Sequence, residues 1–172
     1  MLSVVAPDVA YHDAFLRMLD DYDLHDPANG EYFHDARSDF ESYVQFWRDQ
    51  EVGINLPTGF VPCTNRWLIR EDGEIGANVR IRHNVSTPFL ADEAGHIGYD
   101  VPPAYRGRGF GIEALKAGLE VAADIGLSHV FLFADAANVP SWRTIERCGG
   151  VLEAEKYSNH YHCVVRRYRI SV

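Results

Sequence analysis

Three glycines and two arginines fall within six residues, Arg106-Gly107-Arg108-Gly109-Phe110-Gly111, between a short apolar strand pattern and a long amphipathic helix pattern. These residue types in this order suit a diphosphate. Glycine lets the backbone approach a ligand and take dihedrals that other residues resist. The helix that follows offers unpaired N–H groups and the positive end of its dipole, and arginine adds charge with several donors. The segment therefore points to a phosphate-bearing cofactor. Groups able to move protons lie close by. His83 and His96 fall on consecutive strands of a hairpin pattern, and histidine titrates in the range useful to a general base. Asp100 alternates to the same strand face as His96 and Gly98, and Glu93 lies just upstream. His160 and His162 are near each other but lack further ligands, so no metal site is expected.

Cysteine chemistry is not indicated. Cys63, Cys148 and Cys163 are odd in number and form no C-x-x-C pair, which fits a reducing compartment. Cys148 stands at helical spacing from Trp142 and Ile145 and reads as a packed side chain.

The elements that must position these residues belong to one domain spanning 1–172, since 172 residues with 47% hydrophobic content suffice for a single core. A formal charge of −9 argues against nucleic acid or an anionic membrane as partner. Arg106 and Arg108 are a local exception on that acidic background. Apolar runs are too short for a membrane span, and Met1 to Ala6 runs into Pro7-Asp8 without a basic region, so no secretory signal is expected and the location reads as cytoplasmic.

Leu2–Ala6 alternates weakly and suits an edge strand. Ala14, Phe15, Met18 and Leu19 recur at helical intervals over about Val9–Leu19, and His25–Gly30 reads as loop. Ser38 is a good N-cap for a second helix carrying Phe40, Tyr43, Val44 and Trp47. Arg66–Arg70 and Ile75–His83 form a hairpin around Glu71-Asp72-Gly73-Glu74, with Ala77, Val79 and Ile81 on one face. His96–Val101 is the next strand, ended by Pro102-Pro103. Ile112, Leu115, Leu119, Ala122 and Ile125 make a continuous apolar helix stripe, closed by Gly126. His129–Ala134 is continuously apolar, as a strand buried on both faces would be. Asn138 caps a further helix that tolerates Pro140 in its first turn and stops at Gly149-Gly150. Strands over Val151–Ala154 and Tyr161–Ile170 complete the chain.

Arg106-x-x-Gly109-x-Gly111, after a strand and before a helix, resembles the acetyl-CoA signature of the GNAT superfamily of N-acetyltransferases. Asn138-x-x-Ser141, opening a helix that ends in Glu146-Arg147-Cys148-Gly149-Gly150, is similar to that family's downstream segment. Leu56-Pro57-x-Gly59-x-Val61-Pro62, Arg82-His83 and Gly95–Tyr99 resemble a bacterial branch of predicted acetyltransferases. Taken singly, each piece also fits a tight connection, solvated arginines or a plain cap. A dinucleotide-binding glycine pattern belongs to a parallel βαβ unit, whereas the strands before this one are antiparallel.

The resemblance implies an α/β (α+β) GNAT fold: a mixed, mostly antiparallel central sheet with splayed strands, flanked by about four helices. It implies acetyl-CoA as acyl donor. Tyr99, Asp100 and Val101 would pair with the pantetheine arm. Arg106, Gly107, Arg108, Gly109, Phe110 and Gly111 would hold the pyrophosphate, and Asn138 and Ser141 would lie near the thiol end. The acceptor would be a small-molecule or peptide amine, with a homodimer open. His83, His96 and Asp100 are the candidates for the base. The family's usual acid, a tyrosine seven residues after the asparagine, is replaced by Ile145. That departure leaves room for a non-catalytic acetyl-CoA-binding module, and a longer acyl-CoA is a further alternative. The variable segment His25–Pro62 lies where the family commonly builds its acceptor pocket, and its Tyr32, Phe33, Asp35, Asp39 and Glu41 suit a cationic amine or, equally, an ordinary amphipathic surface.

Overall fold

The computed structural model describes residues 2–172, and its elements follow the apolar periodicities closely. Strand β1 (Ser3–Val5) leads through a short turn into helix α1 (His12–His25), which buries Phe15, Met18, Leu19 and Tyr22. Single helical turns α2 (Pro27–Gly30) and α3 (Asp35–Ser38) precede α4 (Phe40–Val52). Strands β2 (Cys63–Ile69), β3 (Ile75–Arg82) and β4 (Ile97–Asp100) follow, then α5 (Phe110–Asp124), β5 (His129–Asp135), α6 (Val139–Arg147), β6 (Val151–Ser158) and β7 (Cys163–Ser171). Among the described residues four full helices flank the strands, as expected. No helix among the described residues is long and apolar enough to cross a membrane.

The strands form two antiparallel sheets, ordered β1-β2-β3-β4 and β5-β7-β6. Among the described residues they are linked by an isolated bridge between Gly95 and Leu132, beyond which β4 and β5 share no ladder. This is the splay. α5 packs Ala114, Leu115 and Ala122 over both sheets, against Val79, Ile81, Val130 and Leu132. On the opposite face of the first sheet, α1 and α4 bury an aromatic cluster of Phe15, Phe40, Tyr43, Trp47 and Trp67. Both burials draw on the apolar area removed from water.

Four expectations change. His25–Gly30 is not all loop, because Pro27 has the φ a helix start needs and seeds α2. Asp39, not Ser38, caps α4, its carboxylate accepting from the Ser42 amide at 2.9 Å, while the Ser38 hydroxyl donates to the Asp35 carbonyl at the end of α3. β5 is covered by α5 on one face only, with Phe131 and Phe133 half-buried on the other. The last two strands extend to Ser158 and Ser171, since exposed positions carry ladder bonds as readily as buried ones.

Candidate functional site

Gly107 and Gly109 take φ of 75° and 85°, values that side chains resist, and the chain reverses into α5. Gly109 occupies the N-cap without any side-chain cap, so the first amides of α5 keep their N–H groups open. An ideal Cβ at either glycine meets nothing within 4 Å. The turn is therefore an open cradle of backbone donors at a positive helix end.

That cradle borders a cavity of about 560 Å³, within the range of ligand pockets. β4 contributes Tyr99 and Asp100, and Val101 follows it. The turn and α5 contribute Arg106, Gly107, Gly109, Phe110 and Gly111, and Asn138 and Ser141 come from the start of α6. Tyr99 ties two of these elements together, its hydroxyl donating to the Ser141 carbonyl at 3.0 Å and lying 3.2 Å from the Ser141 hydroxyl. Asn138 Oδ1 accepts from the Ser141 amide at 3.2 Å.

The two turn arginines behave differently. Arg106 donates through Nε to the Val101 carbonyl at 3.1 Å and pairs with Asp26, which also lines the cavity. Arg108 does not line it. Bracketed by two left-handed glycines, its side chain emerges on the far side of the turn, over Tyr105 and beside Arg70, Asp72 and Glu113. Arg143 and Arg147 of α6 line the cavity instead, and among the described residues neither has an ion pair. The sequence carried a signal for them. Pro140, Arg143, Thr144 and Arg147 recur at i, i+3, i+4 and i+7, a second stripe beside the apolar one. Tyr22, Asp26 and Asn29, from α1 and α2, had no such signal, because only the tertiary fold brings them to the turn.

The candidate bases separate. The His96 ring accepts a hydrogen bond from the Phe131 amide through Nδ1 at 3.0 Å, while its own amide donates to the Phe131 carbonyl. Burial, with His129 and Arg82 adding to it, pushes the ring down to about 4. His96 thus belongs to the seam between the sheets. His83 turns to Thr64 Oγ1 at 2.9 Å, and burial lowers it too. The two histidines are not joined, and neither lines the cavity. Asp100 does, with Oδ2 2.6 Å from Arg80 Nη1. Arg80 is held firmly protonated: burial opposes its charge, but Asp100 more than offsets this. Ile145 is 1% exposed within the apolar cluster under α5. Three phenols line the cavity, Tyr22, Tyr99 and Tyr105, and burial raises the first two. Among the described residues no three His, Cys, Asp or Glu side chains are grouped to hold a metal.

Residues 12–151 match the family described as acetyltransferase (GNAT) domain. No protein of curated function matches by sequence. Solved structures with the same fold include the microcin C7 self-immunity acetyltransferase MccE in complex with acetyl-CoA and AMP, at 15% identity and a TM-score of 0.71, over 99% of this chain and 92% of that one. RimL, the ribosomal L7/L12 alpha-N-protein acetyltransferase in complex with coenzyme A, aligns at 15% identity and a TM-score of 0.72, over 99% and 94%. The structure of yncA from Salmonella typhimurium with its cofactor acetyl-CoA aligns at 13% identity and a TM-score of 0.65, over 99% and 93%. With the family match spanning most of the sequence, this chain belongs to the GNAT acetyltransferase family.

Proposed function

We propose that this chain is an acetyl-CoA-dependent N-acetyltransferase acting on a primary amine. One observation carries the reading. The glycine-rich turn, the uncapped start of α5, the β4 edge at Tyr99–Val101 and the Asn138–Ser141 cap all face one cavity. Open amides, room at the two glycines and Arg143 and Arg147 nearby suit a diphosphate. The β4 edge beside the splay offers backbone partners to an extended pantetheine arm. Acetyl-CoA bound there supplies an activated acyl carbon.

An alkylammonium with a pKa near about 10.4 is almost wholly charged at neutral pH, so a proton must leave before nitrogen attacks. Asp100 is the one candidate base on the cavity wall, and it takes that proton, directly or through water. As the C–N bond forms and the C–S bond breaks, β4 amides beside the splay steady the developing oxyanion. Tyr22 and Tyr99, kept protonated by burial, stand in for the absent tyrosine as donors to the leaving sulfur. The buried Ile145 favours a second reading, a module that holds acetyl-CoA without turnover.

Thiol release across an amine panel separates the two readings. Release with at least one amine supports transfer, and tight cofactor binding without release by any amine sinks it. Succinyl-CoA and longer donors, run in parallel, set the acyl preference. Gly111→Ala tests the cofactor site itself. Its Cβ would lie 3.5 Å from the Tyr99 ring and 3.7 Å from Thr144, ordinary contacts, and alanine favours a helix over glycine by about 1 kcal/mol. The variant should melt no lower than the parent, yet bind acetyl-CoA about tenfold or more weakly, about 1.4 kcal/mol. Unaltered affinity would refute the placement.

A further inference from the structure

A second polar site shares a wall with the cavity. On the sheet face that carries Trp67 and Ile69, the positions nearest β4 turn polar. Asn65 pairs with Arg80, and Asn78 with Asp100, while Arg82 follows on β3. Tyr32 lies over the Arg80 guanidinium, 4.4 Å from carbon to ring centroid, and Tyr43 and Trp47 pack beside it. Asn65 and Asn78 are fully buried. Asn65 Oδ1, Asn78 Nδ2 and Arg80 Nε nevertheless have no hydrogen-bond partner, and the Asp100–Arg80 ion pair is out of line for one. More than about 90% of buried polar groups are bonded, so a cluster of unbonded ones marks a place where a ligand completes the bonding.

The charges here do not cancel. Arg80 is matched by Asp100. Arg82, half-buried, donates to the Gly95 carbonyl at 3.1 Å and toward that of Ala94, and no carboxylate among the described residues pairs with it. The Tyr32 and Tyr43 phenols and the Cys63 thiol stay neutral, because burial raises all three. One positive charge is left over, where desolvation makes an unpaired charge costly. Tyr32 and Tyr161, 52% and 47% exposed, both feel the Arg82 charge and frame its approach from solvent.

Building on the transferase reading, we propose that this polar cluster takes the carboxylate of the acceptor, which is an amino acid or a molecule built like one. Arg82 holds the carboxylate, with Arg80 Nε as the further donor. The amine then faces Asp100, which pairs with Arg80 in the cluster and lines the cofactor cavity. A single surplus charge matches a monoanion better than a dianionic phosphate.

The test compares L-amino acids with their carboxamides, which keep the amine and lose the charge, as acceptors for the full chain with acetyl-CoA. The acids should be preferred about 100-fold in kcat/KM. In Arg82→Met that ratio should fall toward one, chiefly through KM, with acetyl-CoA affinity retained. Arg82→Lys, which keeps the charge without the fork of donors, should show an intermediate ratio and serves should the methionine variant fail to fold. Equal use of acids and amides, or a ratio untouched by both substitutions, overturns the proposal. If neither class releases thiol, transfer itself fails, and calorimetry on the coenzyme A-saturated protein decides this point separately. Binding of acids but not amides supports the proposal, and binding of neither overturns it.

Discussion

At His96, the nitrogen lone pair a base would use already accepts the Phe131 amide, and burial disfavours the imidazolium. The consequence is a pH dependence of folding rather than of catalysis. With the folded value near 4 and the unfolded one near 6.5, the unfolded chain binds the extra proton between those limits. Stability is therefore complete above about pH 6.5 and is lost as pH falls toward 4. Urea midpoints for the parent should drop between pH 7.5 and 5, a loss on the order of 1–3 kcal/mol. His96→Gln, which keeps an acceptor without a titrating ring, should flatten that interval. An equal drop in parent and variant would remove His96 as the cause. The sequence showed two histidines on neighbouring strands and could not show their hydrogen bonds. Asp100 was a weaker candidate by residue type, and only its place on the cavity wall distinguishes it.

The seam between the sheets depends on Gly95. Its φ of 69° and ψ of −164° lie where glycine alone is comfortable, and a Cβ there would overlap the Phe131 carbonyl and press on the Phe133 ring at 3.2 Å. Gly95→Ala should therefore destabilise by about 2–4 kcal/mol, read as a lower urea midpoint, and should weaken acetyl-CoA binding by disturbing β4. A variant as stable as the parent would show that the seam yields easily. Elements with strong periodicity, such as α5 and the β2–β3 hairpin, were legible from residue spacing. The Gly-rich turn was legible because glycine and arginine have few other reasons to alternate before a helix. Less was readable where chemistry is local, as with the Asp39 cap, or where packing decides, as with the open face of β5. Arg108 shows the same limit. Its type suited the turn, but dihedrals at Gly107 and Gly109 set which side it faces.

Across the whole molecule, the two apolar clusters lie on opposite faces of the first sheet, and the glycine-rich turn is fastened to the helical layer that belongs to the other cluster. The Ala104 amide donates to Asp21 at 2.8 Å, and Arg106 pairs with Asp26. Asp26→Asn should cost less than about 1 kcal/mol of stability, since Arg106 is about half exposed. It should also tighten acetyl-CoA binding about threefold or more by freeing Arg106 for the diphosphate, as isothermal titration would show. No gain in affinity would mean that Arg106 never exchanges partners. If a bound diphosphate draws Arg106 from Asp26, the 26–38 segment that carries Tyr32 loses that tie. By reciprocity, an acceptor that shifts this segment would then favour the donor by the same factor. Order of addition would then be a preference built into one ion pair, rather than a rule imposed by a closed door.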